Sequence, residues 1–196
     1  DLRYGENPHQ GAAFYKDETV DEPSVANSVQ LHGKELSFNN IIDLNAALEI
    51  VKEFDSPAAA IIKHTNPCGA ASAKTLRQAY IDALDCDRLS AFGSIVGFNR
   101  PVDAETANTI LGEADFVECI IAPSYDAKAL EALKAKKNLR LIEVKNFGAK
   151  PSKTDADLKK VVGGILIQDR DTMRVKESDL KIVTKVKPTK DEIASL

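Results

Sequence analysis

A short apolar run in the first third of the chain most constrains the fold. Residues 58–62 read AAAII, and Lys63 and His64 follow at once. A half-buried strand alternates apolar and polar residues, but this run has no polar face. It therefore predicts an internal strand over residues 58–63 whose charged end reaches an exposed surface.

Lys63 and His64 are a pair with catalytic potential at the carboxyl end of that strand. A turn made of Asn66, Pro67 and Gly69 is predicted next, with a helix after it. In α/β folds, ligands bind at the carboxyl ends of strands. A lysine can stabilise a developing oxyanion and a histidine can move a proton near neutral pH, so the pair suits transfer of an acyl-type group to a weak nucleophile. The simpler alternative is a solvated lysine beside a histidine that is bonded to backbone.

Predicted helices alternate with predicted strands along the rest of the chain. The helix at residues 40–54 carries an apolar stripe of Ile41, Leu44, Leu48 and Val51 at helical spacing. The alternation predicts an α/β fold with a layered, mixed sheet. The predicted helices are 40–54, 73–86, 104–111 and 127–136; the predicted strands are 11–16, 58–63, 94–98, 116–122, 139–144, 161–167 and 182–185, with loops at 4–10 and 147–158.

Composition and charge argue against several classes of function. The chain has 26 basic and 30 acidic side chains and a net charge of −4, which gives no electrostatic reason to expect nucleic-acid binding. No apolar run approaches membrane-spanning length and no secretory signal pattern is present, so no membrane partner is expected. Three cysteines without framework spacing fit a reducing, cytoplasmic compartment.

Six motifs are spread along the chain. They are LRYGENPHQ at residues 2–10, LSFNNIID at 36–43, KHTNPCGAA at 63–71, SAFGS at 90–94, ECIIAP at 118–123 and the looser GGILIQD at 163–169. In this order they resemble the formyltransferase domain of the bifunctional purine-biosynthesis enzymes. Those enzymes pair a formyltransferase acting on aminoimidazole carboxamide ribonucleotide with an inosine monophosphate cyclohydrolase. The resemblance spans nearly the whole chain, and the ordered set is far more specific than any one motif.

The resemblance implies a fold, a reaction and partners. The fold would be the first of two cytidine-deaminase-like lobes of the formyltransferase domain. The reaction would move a formyl group from 10-formyltetrahydrofolate, the co-substrate, to the amino group of the ribonucleotide in de novo purine synthesis. The nucleotide and the folate would be the small-molecule partners, no metal is implied, and the full-length protein would be a homodimer.

The resemblance also implies that the sequence is part of a longer protein. The chain starts at Asp1, at the edge of the first motif, and Thr189 and Glu192 form a capping-box pattern for a helix that would reach Leu196 after about two turns. We expect a cyclohydrolase domain before Asp1 and the rest of the formyltransferase domain after Leu196. Residues 1–185 would form the first lobe, and residues 186–196 would begin a connecting helix.

Four of the matched residues have implied roles in catalysis or in nucleotide binding. His64 would be the general base, and Lys63 would stabilise charge or donate a proton towards the folate nitrogen. Arg3 would bind the nucleotide phosphate, which its planar guanidinium suits, and Tyr4 would line the same pocket. A surface arginine and a packing tyrosine are the simpler alternatives for the last two.

Three further residues have implied contacts with the substrate. Asn40 would contact the carboxamide side, since an amide both donates and accepts, although an asparagine at a helix start is often only a cap. Gly93 would let backbone approach the imidazole, or would simply allow a turn. Glu118, predicted near a strand end, would meet the polar edge of the base, or would be an exposed glutamate.

Two other interpretations stay open. His64, Pro67 and Cys68 are similar to part of the zinc-deaminase pattern, but Asn66 stands where that pattern needs glutamate and Ala71 where it needs a second cysteine. Metal binding is therefore not expected. The isolated chain could also be a catalytically inactive nucleotide-binding or assembly fragment, because further motifs of the family are absent from it.

Overall fold

The computed structural model describes residues 1–148, 156–173 and 175–195. The chain forms two compact units, Asp1–Lys150 and Pro151–Leu196. Among the described residues of the first unit, the strands are β1 (Val29–His32), β2 (Ala58–Lys63), β3 (Asn66–Ser72), β4 (Ser94–Phe98), β5 (Val117–Ala122) and β6 (Arg140–Glu143), and the helices are α1 (Phe38–Lys52), α2 (Leu76–Cys86), α3 (Ala104–Glu113) and α4 (Ala127–Lys134).

The six strands form one mixed sheet in the order β1-β6-β5-β4-β2-β3. Strands β4, β5 and β6 are parallel to one another, whereas β2 runs antiparallel to both β4 and β3, and β1 runs antiparallel to β6. The predicted α/β fold with a mixed sheet is confirmed.

Helices cover both faces of this sheet. On one face, α1 packs against Ala60 and Ile62 of β2 and against neighbouring strands. On the other face, α2, α3 and α4 share a core with Ala59 and Ile61. Successive strand residues point to opposite faces, so a strand between two helical layers needs apolar residues at every position.

The predicted internal strand is confirmed. Strand β2 lies between β3 and β4, and Ile61 and Ile62 are 1% and 0% exposed. Burying each isoleucine side chain contributes roughly 1.5–3 kcal/mol. Lys63 and His64 lie where β2 emerges from this core, half-buried and exposed respectively.

The predicted turn at Asn66, Pro67 and Gly69 is wrong. These residues belong to β3, which forms a hairpin with β2. Proline is tolerated in edge strands, and the pairing slips by one residue beside it. Gly69 lets α2 pack close, because an added Cβ would collide with the carbonyl oxygen of Ala83. The predicted helix over 73–86 accordingly starts later, at Leu76, after its N-cap Thr75.

Three further strand predictions need correction. Residues 11–16 do not form a strand, since their pairing is limited to an isolated bridge between Leu2 and Ala12. Strand β1 was not predicted, because its four residues lack a clear pattern and are held mainly by pairing with β6. Residues 182–185 have no strand structure.

The second unit contains a hairpin of β7 (Ala156–Val161) and β8 (Gly164–Asp169) and a short helix α5 (Lys190–Ala194). The predicted strand over 161–167 begins later, because residues 162–163 form the hairpin turn. The predicted loop at 147–158 lies largely outside the described residues, and its last three residues belong to β7. The predicted capping box is confirmed, since Thr189 Oγ1 accepts a hydrogen bond from the Glu192 N–H at 3.2 Å.

Candidate active site

A broad cleft of about 690 Å³ opens at one end of the six-stranded sheet. It lies at the amino ends of the parallel strands β4, β5 and β6, where the carboxyl end of β2 also arrives. Placement at the amino ends differs from the usual α/β rule, under which ligands bind at carboxyl ends. The antiparallel direction of β2 is the reason, because it delivers Lys63 to this end of the sheet.

The cleft brings together all seven residues singled out from the sequence. Its remaining lining residues come from the segment before α1, from α1 itself, and from the ends of the loops that lead into the parallel strands together with the first residues of those strands. The lining consists of Arg3, Tyr4, Lys34, Glu35, Leu36, Ser37, Asn39, Asn40, Asp43, Lys63, His64, Phe92, Gly93, Ile95, Phe116, Glu118 and Arg140.

His64 lies in the two-residue turn of the β2–β3 hairpin. Lys63 pairs with Asn66, so His64 and Thr65 are the central turn residues, and their φ angles are 54° and 62°. Positive φ at both positions is the geometry of a type I′ turn, which is usually filled by asparagine and glycine. A β-branched residue such as Thr65 is unusual there.

Lys63 is held beside the loop that precedes β4. Its Nζ donates a hydrogen bond to the Phe92 carbonyl oxygen at 2.6 Å. An ammonium group has three N–H donors, so two remain available for the cleft. Lys63 and His64 therefore line one site although they are consecutive in sequence, because the strand ends at Lys63 and His64 lies in the tight turn that follows.

Gly93 lies in the loop immediately before β4 and next to the start of β5. Its φ is 73°, which favours glycine, and its N–H donates to the Phe116 carbonyl oxygen at 2.9 Å. Phe92 and Phe116 flank it, with ring centroids 5.6 Å apart. Both aromatic side chains are exposed at the cleft, at 57% and 42%.

Glu118 is the acceptor in a polar network within the cleft. Asn40 Nδ2 donates to its Oε2 at 3.0 Å, and a guanidinium nitrogen of Arg140 lies 3.6 Å from the same oxygen. Glu118 is the second residue of β5, near the amino end of the strand. The carboxylate can still accept bonds from a ligand through Oε1.

Asn40 is also a helix cap. Its N–H donates to Ser37 Oγ, and its Oδ1 accepts from the Ser37 N–H at 3.1 Å, which forms a reciprocal capping box at the start of α1. Together with the bond to Glu118, this arrangement uses one of the two side-chain N–H groups and the amide oxygen. The capping alternative is therefore present, and contact with a ligand would depend on the second N–H.

Arg3 and Tyr4 reach the cleft from a closed loop at the start of the chain. The guanidinium of Arg3 lies 5.1 Å from the centre of the Tyr4 ring. Backbone bonds from Gly5 N–H to Gln10 O and from Leu2 N–H to Ala12 O close the loop. The cleft thus presents an exposed arginine at one side and Lys63 at another, which suits an anionic ligand.

Ten of the 17 lining residues are not among the seven singled out from the sequence, and five of these ten are of interest for the chemistry of the cleft. Lys34, Asp43, Phe92, Phe116 and Arg140 all line the cleft. Phe92 stands in a matched motif beside Gly93, and Asp43 ends another, so position within a motif was an available signal for both. Lys34 and Arg140 carried no such signal in the sequence. Their segments come together because β1 pairs with β6, which is a long-range contact.

A family model described as AICARFT/IMPCHase bienzyme matches residues 1–196. The chain belongs to this family. It is also 48% identical, over its whole length, to the bifunctional purine biosynthesis protein PurH of Acetivibrio thermocellus. The chain spans 38% of the length of that relative.

Family membership agrees with the resemblance read from the motifs. In this member of the AICARFT/IMPCHase family, the motif at 2–10 supplies Arg3 and Tyr4 to the cleft, and the motif at 63–71 supplies Lys63 and His64. The motif at 163–169 lies in the second unit. The roles of the individual residues remain predictions.

The cysteines of this family member do not form a metal site with the other described residues. Within residues 1–148, 156–173 and 175–195, no group of three or more histidine, cysteine, aspartate or glutamate residues is arranged to hold a metal ion. Burial raises the pKa of the Cys119 thiol to about 12, and burial together with Asp87 raises the pKa of Cys68.

Over the same described residues, no helix is both long and apolar enough to cross a membrane.

Proposed function

We propose that this chain supplies part of the active site for formyl transfer from 10-formyltetrahydrofolate to the amino group of aminoimidazole carboxamide ribonucleotide, a step in purine biosynthesis. The observation that carries the proposal is the convergence of the seven motif residues on one cleft, with Lys63 and His64 side by side. Membership of the AICARFT/IMPCHase family supports the same reaction. The further parts of the proposal are a cytidine-deaminase-like lobe, a homodimeric full-length protein and a cytoplasmic location.

His64 is proposed as the general base. The amino group of the substrate is a poor nucleophile, because its lone pair is delocalised into the imidazole ring. As the new N–C bond forms to the formyl carbon, His64 removes a proton from the amine, directly or through the neighbouring carboxamide. The imidazole ring fits this task, since within the described residues His64 bonds only through its backbone carbonyl.

Lys63 is proposed as the electrostatic partner. Negative charge builds on the formyl oxygen during attack, and a preorganised ammonium group stabilises it. When the bond between the formyl carbon and folate nitrogen N10 breaks, that nitrogen takes up a proton, which Lys63 can donate. The bond to Phe92 O holds the ammonium group at the cleft before substrate arrives.

The remaining motif residues are proposed to bind the nucleotide. Arg3 would pair with the phosphate and Tyr4 would line its pocket. Asn40 and Glu118 would meet the polar groups of the base, where Glu118 Oε1 and the second N–H of Asn40 are available. Gly93, with no side chain, would let the imidazole portion approach the backbone.

The isolated chain is proposed to lack turnover. It spans 38% of its relative's length, and catalysis depends steeply on the position of every contacting group. Binding of nucleotide without turnover is therefore the alternative function for the 196-residue chain by itself.

A paired assay tests the proposal. Formyl transfer is measured with the full-length protein and with the 196-residue chain, and nucleotide binding to each is measured by titration calorimetry. We expect turnover from the full-length protein and none from the chain alone. Absence of formyl transfer by the full-length protein would overturn the proposed function, and His64-dependent turnover by the chain alone would overturn the requirement for further residues. Ammonia release from a nucleoside, dependent on zinc, would place the chain in a different class of enzyme.

A further inference from the structure

The turn that carries His64 has a backbone that its sequence does not favour. His64 and Thr65 both adopt positive φ, at 54° and 62°. The left-handed region costs of order 1 kcal/mol or more for a residue with a Cβ, and β-branching at Thr65 adds to that cost. Such a turn persists only when surrounding contacts hold it in place.

Asp43 supplies a contact from a different element. It lies on the second turn of α1, is only 9% exposed, and its Oδ1 accepts a hydrogen bond from the Thr65 N–H at 2.7 Å. The distance is short for an N–H···O bond, as expected for a charged acceptor. Helix α1 is itself packed against the sheet through Leu44 and Leu48, so the carboxylate is attached to a rigid part of the fold.

Two more bonds hold the other side of the same turn. Thr65 Oγ1 donates to the His64 carbonyl oxygen at 2.7 Å, and Asn66 Nδ2 donates to that oxygen at 2.8 Å. These bonds are local to the hairpin. The bond to Asp43 is the one among these contacts that ties the turn to the body of the protein, 22 residues away in sequence.

We infer that Asp43 is a positioning residue for His64. Its carboxylate holds the strained His64–Thr65 turn against α1, so that the imidazole is presented to the cleft in a single orientation. The inference rests on the proposed function, in which His64 moves the proton of the attacking amine. Asp43 acts through the Thr65 backbone, so its removal reduces turnover by displacing His64, without removing a proton acceptor from the chemistry.

Two substitutions in the full-length protein separate this role from loss of folding. Asp43→Asn keeps an oxygen that can accept the Thr65 N–H, whereas Asp43→Ala leaves that N–H without its partner. We expect kcat to fall on the order of 100-fold in Asp43→Ala, since misplacement by about 1 Å can cost that much, and by less than about 5-fold in Asp43→Asn. The KM for nucleotide should change by less than about 3-fold in both. Thermal melting checks that each variant is folded.

A third substitution, at Thr65, tests the route through the turn. Thr65→Gly relieves the strain, because glycine adopts positive φ freely and a type I′ turn then forms without an anchor. In the Thr65→Gly background, Asp43→Ala should lower kcat by less than about 10-fold. Equal losses of kcat in the two backgrounds, or a large rise in KM, would show direct contact of Asp43 with substrate and overturn the inference. Full activity of Asp43→Ala would overturn it while leaving the proposed function intact, and an inactive wild-type protein would instead reject the proposed function.

Discussion

Polar side chains lie at both ends of strand β2, and they use their hydrogen-bonding groups differently at the two ends. At the amino end, Asn99 is 2% exposed; its Oδ1 accepts from the Ala58 N–H at 2.8 Å, and its Nδ2 donates to the carbonyl oxygens of Phe54 and Ser56 at 2.9 and 2.8 Å. At the carboxyl end, Lys63 and His64 border an open cleft and retain groups that face it.

The difference separates a structural polar residue from candidates for function. The side chain of Asn99 links the loop before β2 to the end of β4. Its amide oxygen and its amide nitrogen both form hydrogen bonds with backbone groups. A buried amide with satisfied partners contributes to stability, whereas polar groups with spare capacity beside an open volume can bind a ligand. Mutations at the two ends should therefore change different quantities.

The largest effect is expected at the carboxyl end. His64→Ala in the full-length protein should lower the kcat of formyl transfer by about 100- to 10,000-fold, because the proposed proton acceptor is lost. Nucleotide affinity and melting temperature should change little, since the His64 side chain is exposed. His32→Ala is the matched control, because His32 lies on β1 outside the cleft lining. Equal activity of the two variants would contradict the role of His64.

The next effect is expected at the amino end and in stability. Asn99→Ala should lower the free energy of unfolding by about 2–4 kcal/mol, because it leaves the Ala58 N–H and two carbonyl oxygens without their partner in a buried site. Urea denaturation measures the change. Asn138→Ala, at an exposed position, should change stability by no more than about 0.5 kcal/mol. If Asn99→Ala is as stable as this control, the structural interpretation of the amino end fails.

A smaller effect is expected for the polar network across the cleft. Glu118→Gln should weaken nucleotide binding about 10-fold, because the charged acceptor for the base is replaced by an amide. Stability should change by less than about 1 kcal/mol, since the side chain of Glu118 is 38% exposed and its contact with Arg140 is solvent-screened. Calorimetric titration with the nucleotide measures affinity. A stability loss like that of Asn99→Ala would place Glu118 with the structural residues instead.

The smallest effect concerns the three cysteines, which differ in how far they are buried. Cys86 is exposed and should react first with iodoacetamide at pH 8. Cys68 should react more slowly, because its raised pKa lowers the fraction of reactive thiolate at that pH, and the fraction grows as the pH rises. Cys119 is buried, with its pKa raised to about 12, and should react only after unfolding. Mass spectrometry of the alkylated peptides gives the order, and early labelling of Cys119 would contradict the packing of β5.

A local sequence pattern determines its element where the pattern has one physical solution. The all-apolar run at residues 58–62 allows only burial on both faces, and the stripe containing Leu44 and Leu48 allows only a helix with one buried side. The candidate site residues were identified from the ordered motifs. A motif indicates which residues the chemistry uses even when their positions in space are not known. Their convergence on one cleft then followed in the structure.

Long-range packing decided the rest. Pro67 and Gly69 are typical of turns, yet pairing with β2 on one side and close approach of α2 on the other make them part of a strand. The sequence by itself determined the elements with strong periodicity, the family and the identity of Lys63 and His64 as the pair of interest. Only the tertiary structure decided that β2 runs antiparallel to β4, which puts the cleft at the amino ends of the parallel strands, and that Asp43 reaches the turn holding His64. Both depend on contacts between residues more than 20 positions apart in sequence, which no local pattern encodes.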